Sequence, residues 1–428
     1  MKQIAVAATL DLPWWRQKRW LIAVLLSLVT AIGYIDRQAL SVTAPLLKGE
    51  FGFSNTEYGA IAGIFLIAYA IGQLVTGPLI DRLGTKRALS LAVLWWSIVA
   101  MLHALGRGFG SFLALRALLG LTEGANLPAA FKAVGEWFPR ADRSLASGII
   151  MAGVGLGAIV APPTVGWLAY HYGWQAAFLV PGAAGLLWLL VWRAAYHLPE
   201  SHPAIDARER QMILAERVPA QTSSRPWHHY LRYREVWVIA LARFLGDGAF
   251  YFFAAWLPLY LASERGFNLL QIGAFAWIPF LAADLGSLGG GWLGGRLIRA
   301  GWSLSASRKT LIWIGALLML GAMPVVQAES AFLAIALISL ALFAIQVKGA
   351  SLFPLAADLF PAASVGTVWG VSSAFGSAGG ALFQFGVGWL IDQYSYAPVF
   401  AIVSLMGIAQ ALIVSLFLGR LAPVTLSR

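Results

Sequence analysis

Residues 112–139 read FLALRALLGLTEGANLPAAFKAVGEWFP, an apolar run that carries Arg116, Glu123, Asn126 and Lys132. The run is long enough to cross a bilayer, which takes about 20 residues of helix. A charge held at bilayer depth costs about 3 kcal/mol on insertion scales, so a spanning helix that keeps these side chains has a use for them. Arg116 and Glu123 lie two helical turns apart on one face. That face is expected to look into a polar cavity. Lys132 lies on the opposite side of the helix from Glu123 and is expected to snorkel to the membrane surface.

The composition agrees with this reading. Hydrophobic residues make up 59% of the 428-residue chain and charged residues 11%, against roughly 25% charged in a soluble domain. The mean hydropathy is +0.74. A water-soluble globule is excluded, and the chain reads as an all-α membrane protein with twelve apolar runs between residues 20 and 419. With both termini cytoplasmic, the basic loops fall on the inner side and only Lys48, Arg107 and Arg265 on the outer side, a strong positive-inside bias. The net charge of +11 therefore reports topology rather than a nucleic-acid partner, because the basic residues sit in short loops between apolar runs. The absence of cysteine excludes a disulfide framework, a thiolate metal site and a cysteine nucleophile. No phosphate-binding loop, metal-ligand cluster or nucleophile constellation is visible, so an enzyme, a metal site and a cofactor are not expected. The histidines lie near helix ends or in loops, which disfavours a histidine proton relay at the midplane.

One extended polar segment, 198–235, divides the twelve runs six and six. The expected organisation is a cytoplasmic N-terminal tail (1–19), a six-helix bundle (20–197), a cytoplasmic linker (198–235), a second six-helix bundle (236–419) and a cytoplasmic C-terminal tail (420–428). An internal repeat supports it. Without a gap, Glu136–Pro139 aligns with Asp358–Pro361, Gly148 with Gly370, Gly157 with Gly379, Gly166-Trp167 with Gly388-Trp389 and Phe178 with Phe400. Earlier in each half, Gly52-Phe53 aligns with Gly266-Phe267. Parallel six-helix halves with a substrate site at their interface are a transporter architecture.

The loop after the second run, Gly77-Pro-Leu-Ile-Asp81-Arg82-Leu-Gly84-Thr-Lys86-Arg87, resembles the signature loop of the major facilitator superfamily. Gly77, Asp81, Arg82 and Gly84 are accordingly expected to gate the cytoplasmic face, the plainer alternative being a tight basic turn that only sets topology. The strings GYIDRQALSVTAPLLKGEFGFSNTEYG, RALLGLTEGANLPAAFKAVGEWFP and AWIPFLAADLGSLGGGWLGGRLIRAGW resemble the anion:cation symporter branch of that superfamily, and most of all its bacterial hexuronate transporters. The resemblance implies proton-coupled uptake of an organic carboxylate, with glucuronate or galacturonate first and an aldonate, aldarate or aromatic acid as the alternative. It places the chain in a bacterial inner membrane, with a small organic anion and protons as its partners. A monomer is the expected working unit, and a sensor without turnover is the reading from another class.

A carboxylate crossing hydrocarbon needs a counter-charge, and a guanidinium fork supplies one bidentately. The resemblance gives this role to Arg37, whose alternative is a salt bridge to Asp36 or Glu123. Proton coupling needs a carboxyl group whose proton affinity changes as an arginine moves toward or away from it. Glu123 and Asp36 are the candidates, at positions matching the branch's proton sites, with Glu123 the main one; a permanent pair with Arg116 or Arg37 is the alternative. Tyr69 and Gln73 share a face of the second helix and suit sugar hydroxyls, or serve only as core. Arg116 is a more remote cation for the same cavity, and Asn126 either binds substrate or joins two helices. In the second half, Arg243 is a further anion ligand or an intrahelical partner of Asp247. Lys348, which the repeat places opposite Asn126, takes a second polar end of the substrate or pairs with Asp284. Ser373 and Gln384 are hydroxyl ligands.

Overall fold

Three prolines decide where the apolar runs stop being single helices. The computed structural model describes residues 13, 16–139, 142–215, 227–422 and 424, and all regular structure among them is helical. Among the described residues, eleven helical segments are long and apolar enough to cross a membrane. The remaining expected span, the fourth, is divided into Phe109–Glu123 and Asn126–Trp137. Pro128 has no N–H to give the carbonyl of Gly124, so the helical ladder opens there. That carbonyl accepts instead from Thr76 Oγ1 at 3.5 Å. The eighth span, Leu269–Phe275 with Ile278–Arg299, and the tenth, Ala331–Leu352 with Leu355–Leu359, break just before Pro279 and Pro354 for the same reason.

The repeat extends to the chemistry of helix ends. The first span, Lys18–Phe51, and the seventh, Arg234–Arg265, each stop at a left-handed glycine, Gly52 at φ 70° and Gly266 at φ 66°. The second span, Asn55–Leu83, then opens with a capping box of Ser54 and Glu57, and the eighth opens with Asn268 and Gln271. Glycine takes this backbone conformation without the Cβ penalty, and the box satisfies two amide donors reciprocally.

The first span packs along the fifth, Arg143–Tyr172, and the second along the fourth. The third, Thr85–Leu102, packs along the sixth, Ala176–Ala195. Among the later helices, the seventh packs along the eleventh, Ala362–Gln393, and the eighth along the tenth. The ninth, Leu304–Leu318, lies on the tenth and on the twelfth, Tyr396–Phe417. Between the two sets, the second span meets the eleventh, the fifth meets the eighth and the first meets the seventh.

The 198–235 segment is more than a tether. Its helix Ala207–Ala215 buries Ile213 against the early spans, and the fully buried Glu209 reaches the start of the first span. There its carboxylate accepts the backbone N–H of Lys18 and Arg19 at 3.0 and 3.1 Å, closing donors that a helix N-terminus leaves open. Arg19 also pairs with Asp142 at 2.9 Å. Most of the 1–19 tail, residues 216–226 of the linker, and residues 423 and 425–428 lie outside the described residues.

Candidate functional site

Helices from both sets enclose a cavity of about 890 Å³. Its wall contains Arg37, Tyr69, Gln73, Glu123 and Asn126 from the early spans and Arg243, Asp247, Gln346, Lys348 and Ser373 from the later ones. The cavity runs from this level to Phe131, Ser147 and Val365, toward the end of the bundle that carries Gly84 and Arg143. At the other end the helices close on each other. The Asp392 carboxylate accepts from the Asn55 backbone N–H and amide at 3.1 and 2.8 Å, and from the Thr56 backbone N–H and hydroxyl at 2.7 and 2.6 Å. Tyr58 and Ser41 donate to the Ala255 carbonyl at 2.6 and 3.0 Å. Gly388 makes the approach possible, since a Cβ there would lie 2.3 Å from the Asn55 carbonyl oxygen.

The electrostatic centre is Arg37. Its Nε donates to Glu123 Oε2 at 2.5 Å. The guanidinium lies 4.2 Å from the Tyr69 ring centre and 5.1 Å from that of Phe65, a cation–π cage that holds the fork while leaving room for a ligand. Glu123 is 1% exposed and its Oε1 has no hydrogen-bond partner among the described residues. Asp36, 2% exposed, likewise has neither oxygen bonded. Arg116 sits 4.5 Å from the Phe65 ring centre with Nε and Nη1 unbonded. Two carboxylates and two guanidiniums are thus gathered with spare hydrogen-bonding capacity, which is costly at this depth unless ligands or protons use it.

The remaining candidates are distributed as follows. Tyr69 and Gln73 line the cavity, Tyr69 as the ring under Arg37. Asn126 donates to Thr30 Oγ1 at 3.2 Å, joining two helices, while its Oδ1 is unbonded. Arg243 pairs with Asp247 at 2.9 Å within its own helix, lies between the Phe353 and Trp369 rings and reaches Ser373 Oγ at 3.5 Å. Lys348 makes no ion pair with Asp284; its Nζ donates to Met319 Sδ at 3.3 Å. Gln384 stands apart from the large cavity, on a smaller space of about 60 Å³ that Arg116 also lines. Both ends of its amide are engaged, with the Trp256 indole N–H at 2.6 Å and the Tyr251 carbonyl at 2.7 Å.

At the open end, Asp81 pairs with Lys132 at 2.8 Å, Lys132 also donates to the Ile80 carbonyl, and Gly84 turns the chain at φ 75°. Gly77 has no neighbour near its missing side chain. Sequence reasoning missed the lock at the other end. Its signal was partial: Ser54 and Glu57 mark a helix start, but nothing in the order of residues points from there to Asp392.

A broken fourth helix, a charged cavity between two sets of repeated spans and one sealed end define a multi-pass membrane transport protein rather than an enzyme. The chain belongs to the Major Facilitator Superfamily, whose pattern matches residues 26–383. It is 34% identical over 401 residues to the hexuronate transporter of Escherichia coli K12, covering 92% of this chain and 93% of that one. It is 36% identical to the galacturonate transporter of Dickeya chrysanthemi, over 74% of this chain and 94% of that one. A D-galactonate transporter of Escherichia coli is 28% identical over 94% of this chain and 96% of its own. Among solved structures, a bacterial homolog to the human lysosomal transporter Spinster, inward-facing and unoccupied, superposes with a TM-score of 0.72 at 17% identity, over 95% of this chain and 99% of that one. That likeness concerns the fold.

Proposed function

We propose that the protein is a proton-coupled symporter that takes up a sugar-acid anion, a hexuronate first, by alternating access. The observation that carries this reading is the buried Arg37–Glu123 pair on the cavity wall. A substrate carboxylate reaching Arg37 competes with Glu123, and the displaced carboxylate, left buried without its counter-charge, takes a proton. Substrate and proton therefore enter together. Asp36, beside Arg37 and also unbonded, is the second proton site or orients the pair. Arg116 and Arg243 add positive potential, while Tyr69, Gln73, Asn126 and Ser373 are placed for hydroxyl groups. Gln384 instead ties the seventh and eleventh spans together.

In this reading the bundles 20–197 and 236–419 rock about the cavity. The cavity opens to the cytoplasm, Asp392 locks the outer end, and the loop of Gly77, Asp81, Arg82 and Gly84 closes the inner end in the opposite state. The protein works as a monomer in a bacterial inner membrane with both termini inside. The relatives support the substrate class, since a hexuronate transporter and a galacturonate transporter are similar to this chain over most of its length. The test is uptake into proteoliposomes. An inward proton gradient is expected to drive accumulation of labelled galacturonate or glucuronate, and binding without gradient-dependent flux would overturn the symport reading.

A further inference from the structure

Among the described residues, the charged side chains that line the large cavity are three cations, Arg37, Arg243 and Lys348, and two carboxylates, Glu123 and Asp247. Arg37 is taken by Glu123 and Arg243 by Asp247. Lys348 is left over. It is 2% exposed, and its Nζ rests against the thioether of Met319, itself fully buried. A thioether is a weak acceptor, whereas an ammonium carries three donors. A charge buried in such company costs several kcal/mol relative to one that meets an anion.

Occupation of Arg37 by a substrate carboxylate leaves this imbalance in place. The arriving negative charge replaces that of Glu123, which has gained a proton, so Lys348 still faces the cavity without a counter-charge. Asp247, the other carboxylate of the cavity wall among the described residues, does not relieve the imbalance, because it is already held by Arg243 at 2.9 Å. Only a second negative group on the substrate does so. The cavity is within the ordinary range for a whole small ligand, and the flexible four-carbon stem of a lysine lets its ammonium turn from Met319 toward the cavity.

We infer that Lys348 forms a second anion subsite, which takes the distal acidic group of a dicarboxylate whose first carboxylate sits on Arg37. Sugar diacids are then bound more tightly than the corresponding hexuronates. This rests on the reading that a sugar-acid carboxylate docks on Arg37, and it adds the residue that counts the second charge.

Galacturonate and galactarate share a six-carbon skeleton but differ at C1, a cyclic hemiacetal in the one and a second carboxylate on an open chain in the other, so open-chain galactonate, with a single carboxylate, is measured beside them to separate ring opening from this charge. Each is measured by ligand-induced thermal stabilisation of the purified full-length protein and by competition against labelled galacturonate counterflow. The wild type is expected to bind galactarate at least about tenfold more tightly, the effect of roughly one favourable charge contact. Lys348→Met should abolish the preference and Lys348→Arg should restore most of it. The ratio is read within each variant, so a general loss of activity does not imitate the result. Methionine of similar length beside Met319 removes an unpaired buried charge, a change that cores accept. Galacturonate binding without a galactarate preference in the wild type, or a preference that survives Lys348→Met, overturns the Lys348 subsite alone. Binding of neither acid by the wild type overturns the sugar-acid reading and this subsite with it. If the methionine variant does not purify as a monodisperse protein, the wild-type ratio and the arginine variant decide.

Discussion

Glu123→Gln tests the centre of the mechanism. In the proposed mechanism an incoming carboxylate must displace Glu123 from Arg37, where Nε and Oε2 are 2.5 Å apart and the two side chains are 22% and 2% exposed. Breaking a fully buried ion pair costs about 3–5 kcal/mol. Arg37 is partly open to the cavity and keeps its aromatic cage, so a smaller competition, about 1.5–3 kcal/mol, is appropriate here. The glutamine is nearly the same size and is neutral, and it removes that competition. Substrate affinity at alkaline pH is therefore expected to rise about 10- to 100-fold. The sign with pH follows. Protonated Glu123 no longer competes, so wild-type affinity should strengthen as pH falls and approach that of the variant, whose affinity should be flat. The assay is the dissociation constant across pH 5–9 from ligand-induced stabilisation, alongside counterflow and gradient-driven uptake. The variant should keep counterflow and lose proton-driven accumulation. The same pH slope in both proteins would refute the competition argument, and normal accumulation in the variant would move coupling to Asp36.

Further outcomes can be checked independently. Arg37→Ala should abolish substrate binding as well as flux, and an unchanged affinity in a titration would remove Arg37 from the site. Asp392→Asn weakens a carboxylate that accepts four hydrogen bonds from Asn55 and Thr56 and should favour opening of the sealed end. Because the natural chain has no cysteine, Ala255→Cys supplies a single reporter there, and its labelling by an impermeant maleimide from the outer side should increase several-fold; equal labelling rates would rule out the lock. Glu209→Ala deprives the Lys18 and Arg19 amides of their acceptor and should lower stability by about 1.5–3 kcal/mol, as for hydrogen bonds to a charged group. Unaltered thermal unfolding would show that the linker helix does not clamp the first span.

Much of the fold was legible because a bilayer imposes one-dimensional rules. Apolar length, the basic loops and the repeated glycines are all local in sequence, and each reports span number or spacing. The break in the fourth span was equally local, written in Pro128, although a count of apolar residues passes over it. At the site, the presence of deep charges marked Arg37, Asp36, Arg116 and Glu123 without saying how they pair. The i,i+4 pair of Arg243 and Asp247 could be anticipated from helical spacing alone. The rings of Phe353 and Trp369 beside Arg243 could not, since they come from the break in the tenth span and from the eleventh.

The sequence by itself determined that this chain is a repeated helical membrane transport protein with arginines and acids, Arg37, Arg116, Asp36 and Glu123, at bilayer depth. Helical periodicity specifies a residue's height and face. Only the tertiary structure decided that Glu123, and not Asp36, holds Arg37, that Gln384 is spent on packing, that Lys348 pairs with no carboxylate among the described residues, and that Asp392 seals the end opposite the open mouth of the cavity. A helix face has several neighbours within reach, and contacts worth a few kcal/mol choose among them only after the helices have packed.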